Sequence, residues 1–339
     1  MVASSFLYLA GALIGGVSVK PWLREVYRPI PGWEPPSLSG DAPAPFPISL
    51  THNVKTHRCH SHNDYWRQVP LYQALHYGCT SVEADVWLMD MDESGDFDFY
   101  VGHTPAALKR ERTLRNLYIN PLVRMLETVN YNISVARSNG VFESSPTQSL
   151  VLLVDLKNDP FIAFKAFSAQ LEPLRSRGYL TYHNGTDLVP GPLTIVATGR
   201  TPYTSILSQP YTRRDIFFDA PLASLHDRND VFTPDSPTYT YNISNSYYAS
   251  SELKNGIIMR TDRDNTSPAS QDASSSQLDQ AKSRGLISRY WGEKWSEYHT
   301  SEAVMWRFLI SAEVGILNMD DMAAVRDRSR GMGRLTIQA

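Results

Sequence analysis

Cysteine is almost missing from this chain, a marked excess of charge of either sign is missing, and no apolar run is long enough to cross a membrane comfortably. The two cysteines among 339 residues exclude a disulfide-dense scaffold and a cysteine-built zinc site. They leave room for one disulfide, between Cys59 and Cys79, or for two buried free thiols. With 32 Lys and Arg against 35 Asp and Glu, the net charge of −3 provides no basic field for a nucleic-acid backbone. Nucleic acid is therefore excluded as a partner. The longest uncharged apolar run, "SSFLYLAGALIGGVSV" at 4–19, has the length of a signal-peptide core rather than of a full span.

What is present is a large globular core. Hydrophobic residues make up 42% of the chain, enough for two domains or one large α/β barrel. The apolar run at 1–20 reads as a signal or anchor, or alternatively as a core helix or a mis-started N-terminus. Lys20, Arg24 and Arg28 follow it, and would keep the body cytoplasmic if the run were an anchor. The sequons at Asn132, Asn184, Asn242 and Asn265 argue for the secretory route, so the expected location is secreted or membrane-anchored, with the N-terminus as the route to a membrane. Residues 21–50 are rich in Pro, Gly and Ser and read as a linker, and 51–330 read as the folded domain.

Within that domain, short β-rich runs at about 55–61, 81–88, 97–103, 149–157, 193–200, 215–220, 285–292 and 314–320 alternate with helical patterns at about 70–78, 113–130, 161–177, 271–284 and 300–312. Alternation of this kind predicts a parallel sheet with helices outside, and eight units close into a TIM (β/α)8 barrel. "FDFYVGH" follows "SVEADVWL" too closely for a crossover helix, so the two are expected to form a hairpin and make the barrel irregular on one side. The Tyr/Ser/Asn-rich stretch 221–270 fits the alternation worst.

Catalytic groups of such barrels gather at the C-terminal strand ends. Those ends carry "CHSHNDYW", with His60, His62, Asn63 and Asp64, then Glu83 and Asp85, His103, Asp155 and Lys157, and finally Asn318 and Asp320. Glu83 and Asp85 are two apart on a strand and leave it on one face, which in a run this apolar is the barrel interior. With Asp155 they make three converging hard oxygen ligands, the preference of Mg²⁺ or Ca²⁺. The alternative is a buried ion-pair set in which Lys157 serves Asp155. His62 and His103 on either side are candidates for general base and general acid. His60 reads as a residue that orients its neighbours. Beside Arg289 and Tyr290, Trp291 closes a strand where it would pack against a choline or acyl-bearing substrate.

"SHNDY", then "VEADVW", then "GH" resembles the catalytic half of the phosphatidylinositol-specific phospholipase C barrels. The fuller set, with "PLYQAL", "LRNLYINPL", "VDLK" and "GILNMD", is more similar still to the altered inheritance of mitochondria protein 6 family of PLC-like phosphodiesterases in the glycerophosphodiester phosphodiesterase superfamily, over about residues 55–320. The resemblance implies His62 and His103 as the catalytic histidines and Asn63, Glu83, Asp85 and Asp155 as the metal ligands. Lys157 becomes a phosphate contact, because "DLK" is similar to the strand of the spider-venom sphingomyelinase D group. The His-Arg-Gly and Glu-Asn-Thr of ordinary glycerophosphodiesterases are lacking, which removes the ground for naming a glycerophosphodiester. What is expected is a metal-dependent phosphoric diester hydrolase with a lipid or lipid-derived phosphodiester as substrate. Two other classes compete: a zinc hydrolase built on "HSH", which needs further histidines although His183, His226 and His299 sit in polar loop contexts, and a non-catalytic barrel that binds lipid or phosphate.

Overall fold

The computed structural model describes residues 50–89, 97–133, 138–225, 240–253, 261–262, 265–266, 268–292 and 302–326; the signal or anchor segment at 1–20 and the linker at 21–50 lie outside them, save for residue 50. Eight parallel strands close into a barrel: β1 His57–Ser61, β2 Cys79–Met89, β4 Leu150–Leu156, β5 Leu193–Gly199, β6 Ile216–Pro221, β7 Ser246–Glu252, β8 Ile287–Trp291 and β9 Ile316–Met319. Closure comes from β1, which pairs with β9 on one edge and β2 on the other. Strand β3, Asp98–Val101, runs antiparallel along the upper half of β2, from Met89 opposite Asp98 to Val86 opposite Val101, and forms the expected hairpin. The helices α1 Tyr72–Tyr77, α2 Asn120–Val129, α3 Pro160–Gln170, α4 Pro268–Ser283 and α5 Glu302–Ser311 follow their strands around the outside.

Sequence explains most of this. "LVLLVDL" of β4 is apolar on both faces because a barrel strand is covered by helices outside and by its opposite neighbours inside. Pro160 stands in a first helical turn, where a missing N–H leaves nothing unpaired, whereas Pro121 follows closely on the π-turn Arg115–Ile119. Two core clusters result. The larger lies between strands and helices, and a smaller one of Val151, Leu153, Val196, Tyr248 and Ile316 fills the barrel's lower interior. Above that apolar floor the inward-facing residues turn polar and charged.

The eighth parallel strand, β7, lies in the 221–270 stretch that fits the alternation worst, and 97–103, which completes the predicted count of eight, is the antiparallel partner instead. "SYYASSE" carries no Val, Ile or Leu, so its composition hides a strand whose residues are nonetheless largely buried. Its small side chains leave room inside the barrel for a long one from β8. Cys59 and Cys79 are joined in a disulfide that ties β1 to the first residue of β2 across a Cα–Cα distance of 4.8 Å.

Candidate active site

Strand register builds the centre of the site. Asp85 of β2 pairs directly with Asp155 of β4, and Glu83 lies two residues below Asp85 on the same face. Glu83, Asp85 and Asp155 each present an oxygen to a common point, with these atoms all within 4.8 Å of one another. Lys157 Nζ spans two of them, 2.6 Å from Asp155 Oδ2 and 2.9 Å from Asp85 Oδ2. One lysine does not balance three carboxylates. Burial first, then the Glu83 charge, push the Asp85 carboxyl up despite Lys157, and burial pushes Asp155 up to about 6. Asp155 Oδ1 is buried with no hydrogen-bond partner. Gly199, at φ +68°, is where β5 passes that oxygen, and any Cβ there would collide with it. An orphaned carboxylate oxygen, two raised carboxyls and an all-oxygen donor set fit a hard divalent cation.

The two histidines flank this cluster on different carboxylates. His62 Nδ1 lies 3.0 Å from Asp320 Oδ1, just past β9, and its Nε2 lies 3.8 Å from Glu83 Oε2. Burial alone would lower the His62 pKa; the Glu83 charge and the Asp320 hydrogen bond outweigh it and raise the imidazole above its ordinary value. His103 follows β3 and sets Nδ1 3.2 Å from Asp85 Oδ2 and 3.2 Å from the Tyr65 hydroxyl, with 54% of its side chain exposed. The hairpin explains this placement: antiparallel β3 brings the chain back down beside β2, and Gly102 N donates to the Asp85 carbonyl.

His60 is fully buried beneath them. Its Nδ1 is 2.6 Å from Ser81 Oγ and its Nε2 is 3.4 Å from Glu83 Oε2. Burial, then the Arg289 charge, lower it to about 4, so it is neutral at physiological pH and holds Glu83 by a hydrogen bond. Glu83 in turn stays well below the usual carboxylate range: burial opposes its ionisation, but the His62 charge, the His60 bond and Arg289 prevail. Asn63 enters through its backbone N–H, which donates to Glu83 Oε2 at 3.1 Å, while its amide oxygen accepts from the Tyr65 hydroxyl at 2.5 Å. Tyr65 also reaches Asp85 Oδ2 at 2.8 Å, and burial together with the Asp85 and Glu83 charges keeps its phenol protonated. Trp291 shares the inward face of Arg289 two residues nearer the mouth, 40% exposed, with Glu252 opposite it on β7.

Three groups to which the sequence reading assigned no role complete the arrangement. Asp320 orients His62. Arg289 is buried in the space β7 leaves, its Nε 3.0 Å from Ser250 Oγ, its Nη1 3.1 Å from Asn318 Oδ1 and its Nη2 3.5 Å from Asp219 Oδ2. Tyr65 bridges Asn63, Asp85 and His103. The signal for Asp320 was its place after the last strand; for Arg289 it was a lone cation in the apolar "GLISRYWG". Among the described residues, the one set of three or more His, Cys, Asp or Glu side chains with converging ligand atoms is the carboxylate triad, and the "HSH" histidines gather no zinc set there; His226 and His299 lie outside the described residues.

Residues 48–219 match the family model of the AIM6-like phosphodiesterase domain. The altered inheritance of mitochondria protein 6 homolog of Arthroderma benhamiae is 34% identical over 292 residues, 83% of this chain and 86% of the relative. Altered inheritance of mitochondria protein 6 of Eremothecium gossypii is 36% identical over 278 residues, covering 79% and 68%, and that of Saccharomyces cerevisiae is 32% identical over 287, covering 80% and 71%. A crystal structure of a glycerophosphodiester phosphodiesterase from Parabacteroides distasonis overlays with a TM-score of 0.43 and 10% identity, over 82% of this chain and 100% of that one, a likeness too loose to transfer any residue's role.

Proposed function

The chain belongs to the altered inheritance of mitochondria protein 6 family, and on that premise we propose that it is a metal-dependent phosphoric diester hydrolase acting on a lipid or lipid-derived phosphodiester. The observation that carries the reading is the pair of histidines, His62 and His103, set against Glu83 and Asp85 of one strand with Lys157 beside them.

Glu83, Asp85 and Asp155 would hold the cation, Mg²⁺ or Ca²⁺, with Asn63 at the edge of the set. When bound, such an ion supplies positive charge against the non-bridging oxygens of the phosphodiester, whose negative charge grows in the transition state. Lys157 adds a second positive charge, which its contacts with Asp155 and Asp85 keep protonated in spite of burial. One histidine takes the proton of the attacking water or of a neighbouring substrate hydroxyl, and the other donates a proton to the departing alkoxide oxygen, each step being worth about 10²- to 10⁴-fold. Asp320 holds the His62 ring with Nε2 toward the site, and neutral His60 holds Glu83 in the same way. Trp291 at the mouth is the proposed contact for the substrate's apolar or choline-bearing portion. The run at 4–19 and the four sequons make a secreted or membrane-anchored location part of the proposal.

The test is turnover of bis(p-nitrophenyl) phosphate and a panel of phosphodiester lipids by the full chain, beside His62→Ala and His103→Ala. The reading expects either substitution to remove most of kcat. Absence of turnover on every phosphodiester by the metal-supplemented protein would overturn it.

A further inference from the structure

Among the described residues, the exposed tryptophans, Trp66 and Trp291, and the exposed phenylalanine, Phe161, all stand at C-terminal ends of barrel strands. Trp66 ends the short turn Asp64–Trp66 after β1 and is 38% exposed; its indole lies edge-on to the His103 ring at 5.6 Å. Phe161 and Ile162 open α3 just after Lys157 and are 66% and 56% exposed. Trp291 closes β8 at 40%. Large apolar groups on the opposite face, Tyr131, Ile133, Tyr211 and Ile243, include neither Trp nor Phe. Scattered apolar residues need no explanation, but a rim of aromatic and aliphatic groups around a catalytic cleft does.

Charge supplies the second observation. The loop from His103 to Thr113 packs Ala107 and Leu108 beside Gly102, so it too lies at the mouth. It carries Lys109, Arg110 and Arg112 against the single Glu111; Lys109 and Arg110 are exposed, while Arg112 is tied to the Tyr65 carbonyl. Apolar side chains that can enter an acyl boundary, tryptophans suited to the headgroup level and adjacent free cations are the makings of an interfacial docking surface for anionic lipid.

We propose that the mouth face, through Trp66, Phe161, Ile162 and Trp291 with Lys109 and Arg110 alongside, seats directly on an anionic lipid surface, so that the site opens into the headgroup layer. The proposal deepens the phosphodiesterase reading and rests on it only for the identity of the site at the centre of the rim. It differs from attachment through residues 4–19, which calls for no contact between the mouth and lipid.

The experiment uses the full chain and vesicles of phosphatidylcholine with or without phosphatidylserine, some containing brominated acyl chains that quench nearby tryptophan. Expected are quenching that falls in Trp66→Phe and in Trp291→Phe, and partitioning that falls by about tenfold or more in a Phe161→Asp/Ile162→Asp double variant. That variant should keep its turnover of soluble bis(p-nitrophenyl) phosphate, and Lys109→Glu/Arg110→Glu should lose the preference for phosphatidylserine. Unchanged quenching in both tryptophan variants together with unchanged partitioning of the Phe161/Ile162 variant would overturn the proposal, whichever way the protein is otherwise held to the vesicle. Loss of partitioning in a protein inactive on all phosphodiesters would leave the docking surface standing and remove the catalytic reading alone.

Discussion

Asp85 and Asp155 face one another in register on neighbouring parallel strands, and the lysine two residues after Asp155 reaches both carboxylates. Burial raises both carboxyls first, and a neighbouring carboxylate adds to it, Glu83 at Asp85 and Asp85 at Asp155. A fold keeps such a pair when something positive is meant to sit there.

Asp155→Asn separates stability from function. A carboxyl held at about 6 in the folded protein, against about 3.9 unfolded, binds its proton more tightly when folded, so its ionisation destabilises the fold above that range. In EDTA, Asp155→Asn is therefore expected to melt higher than wild type at pH 8, with the gap closing as pH falls through 6 toward 4. With excess Mg²⁺ or Ca²⁺ the order should reverse, because only wild type gains from the ion. Thermal melts across pH with and without metal check both signs.

Gly199→Ala tests the space around the orphaned oxygen. Its methyl would displace the Asp155 carboxylate, and φ of +68° adds about 1 kcal/mol of strain. The expected outcome is a folded barrel by far-UV circular dichroism whose metal-induced rise in melting temperature is lost together with most of its turnover. A variant that keeps its metal response would show that Asp155 does not need its present position.

Asp320→Asn leaves His62 in place without the carboxylate that fixes its ring. A fall in kcat of about 10- to 100-fold with little change in KM is expected. Loss of that charge should also lower the His62 pKa, read from the imidazole resonances in a pH titration. A KM effect alone would mean that Asp320 meets substrate instead.

Cys59→Ala/Cys79→Ala opens a covalent loop with a sequence separation of 20. Chain-entropy arguments assign it about 3 kcal/mol. Denaturant unfolding should show that loss, with catalysis of the remaining folded protein intact.

Much of the site could be read before the fold was seen. Glu83, Asp85 and Asp155 stand out because charge inside "SVEADVWL" and "LVLLVDL" has no solvent-facing explanation, and the closeness of the two β-runs around residue 92 identified the hairpin that delivers His103. Other features depend on three-dimensional neighbours. Spacing could not choose between a disulfide and free thiols at Cys59 and Cys79. The strand Ser246–Glu252 was hidden because its task is to be small beside Arg289, which favours Ser and Ala over the β-branched residues that mark a strand. Asn63 could be placed at the site by its motif, but the engagement of its amide oxygen with Tyr65 follows from a left-handed turn at φ 46° that composition does not announce.

The central claim is that the carboxylate triad holds a divalent ion that phosphodiester hydrolysis requires. Its most direct measurement is the hydrolysis rate of bis(p-nitrophenyl) phosphate by EDTA-stripped full-length protein as Mg²⁺ or Ca²⁺ is added back, for wild type and Glu83→Gln side by side. The account predicts a saturable return of activity in wild type and none in Glu83→Gln. Full activity in the stripped protein, or equal recovery in both, would contradict it.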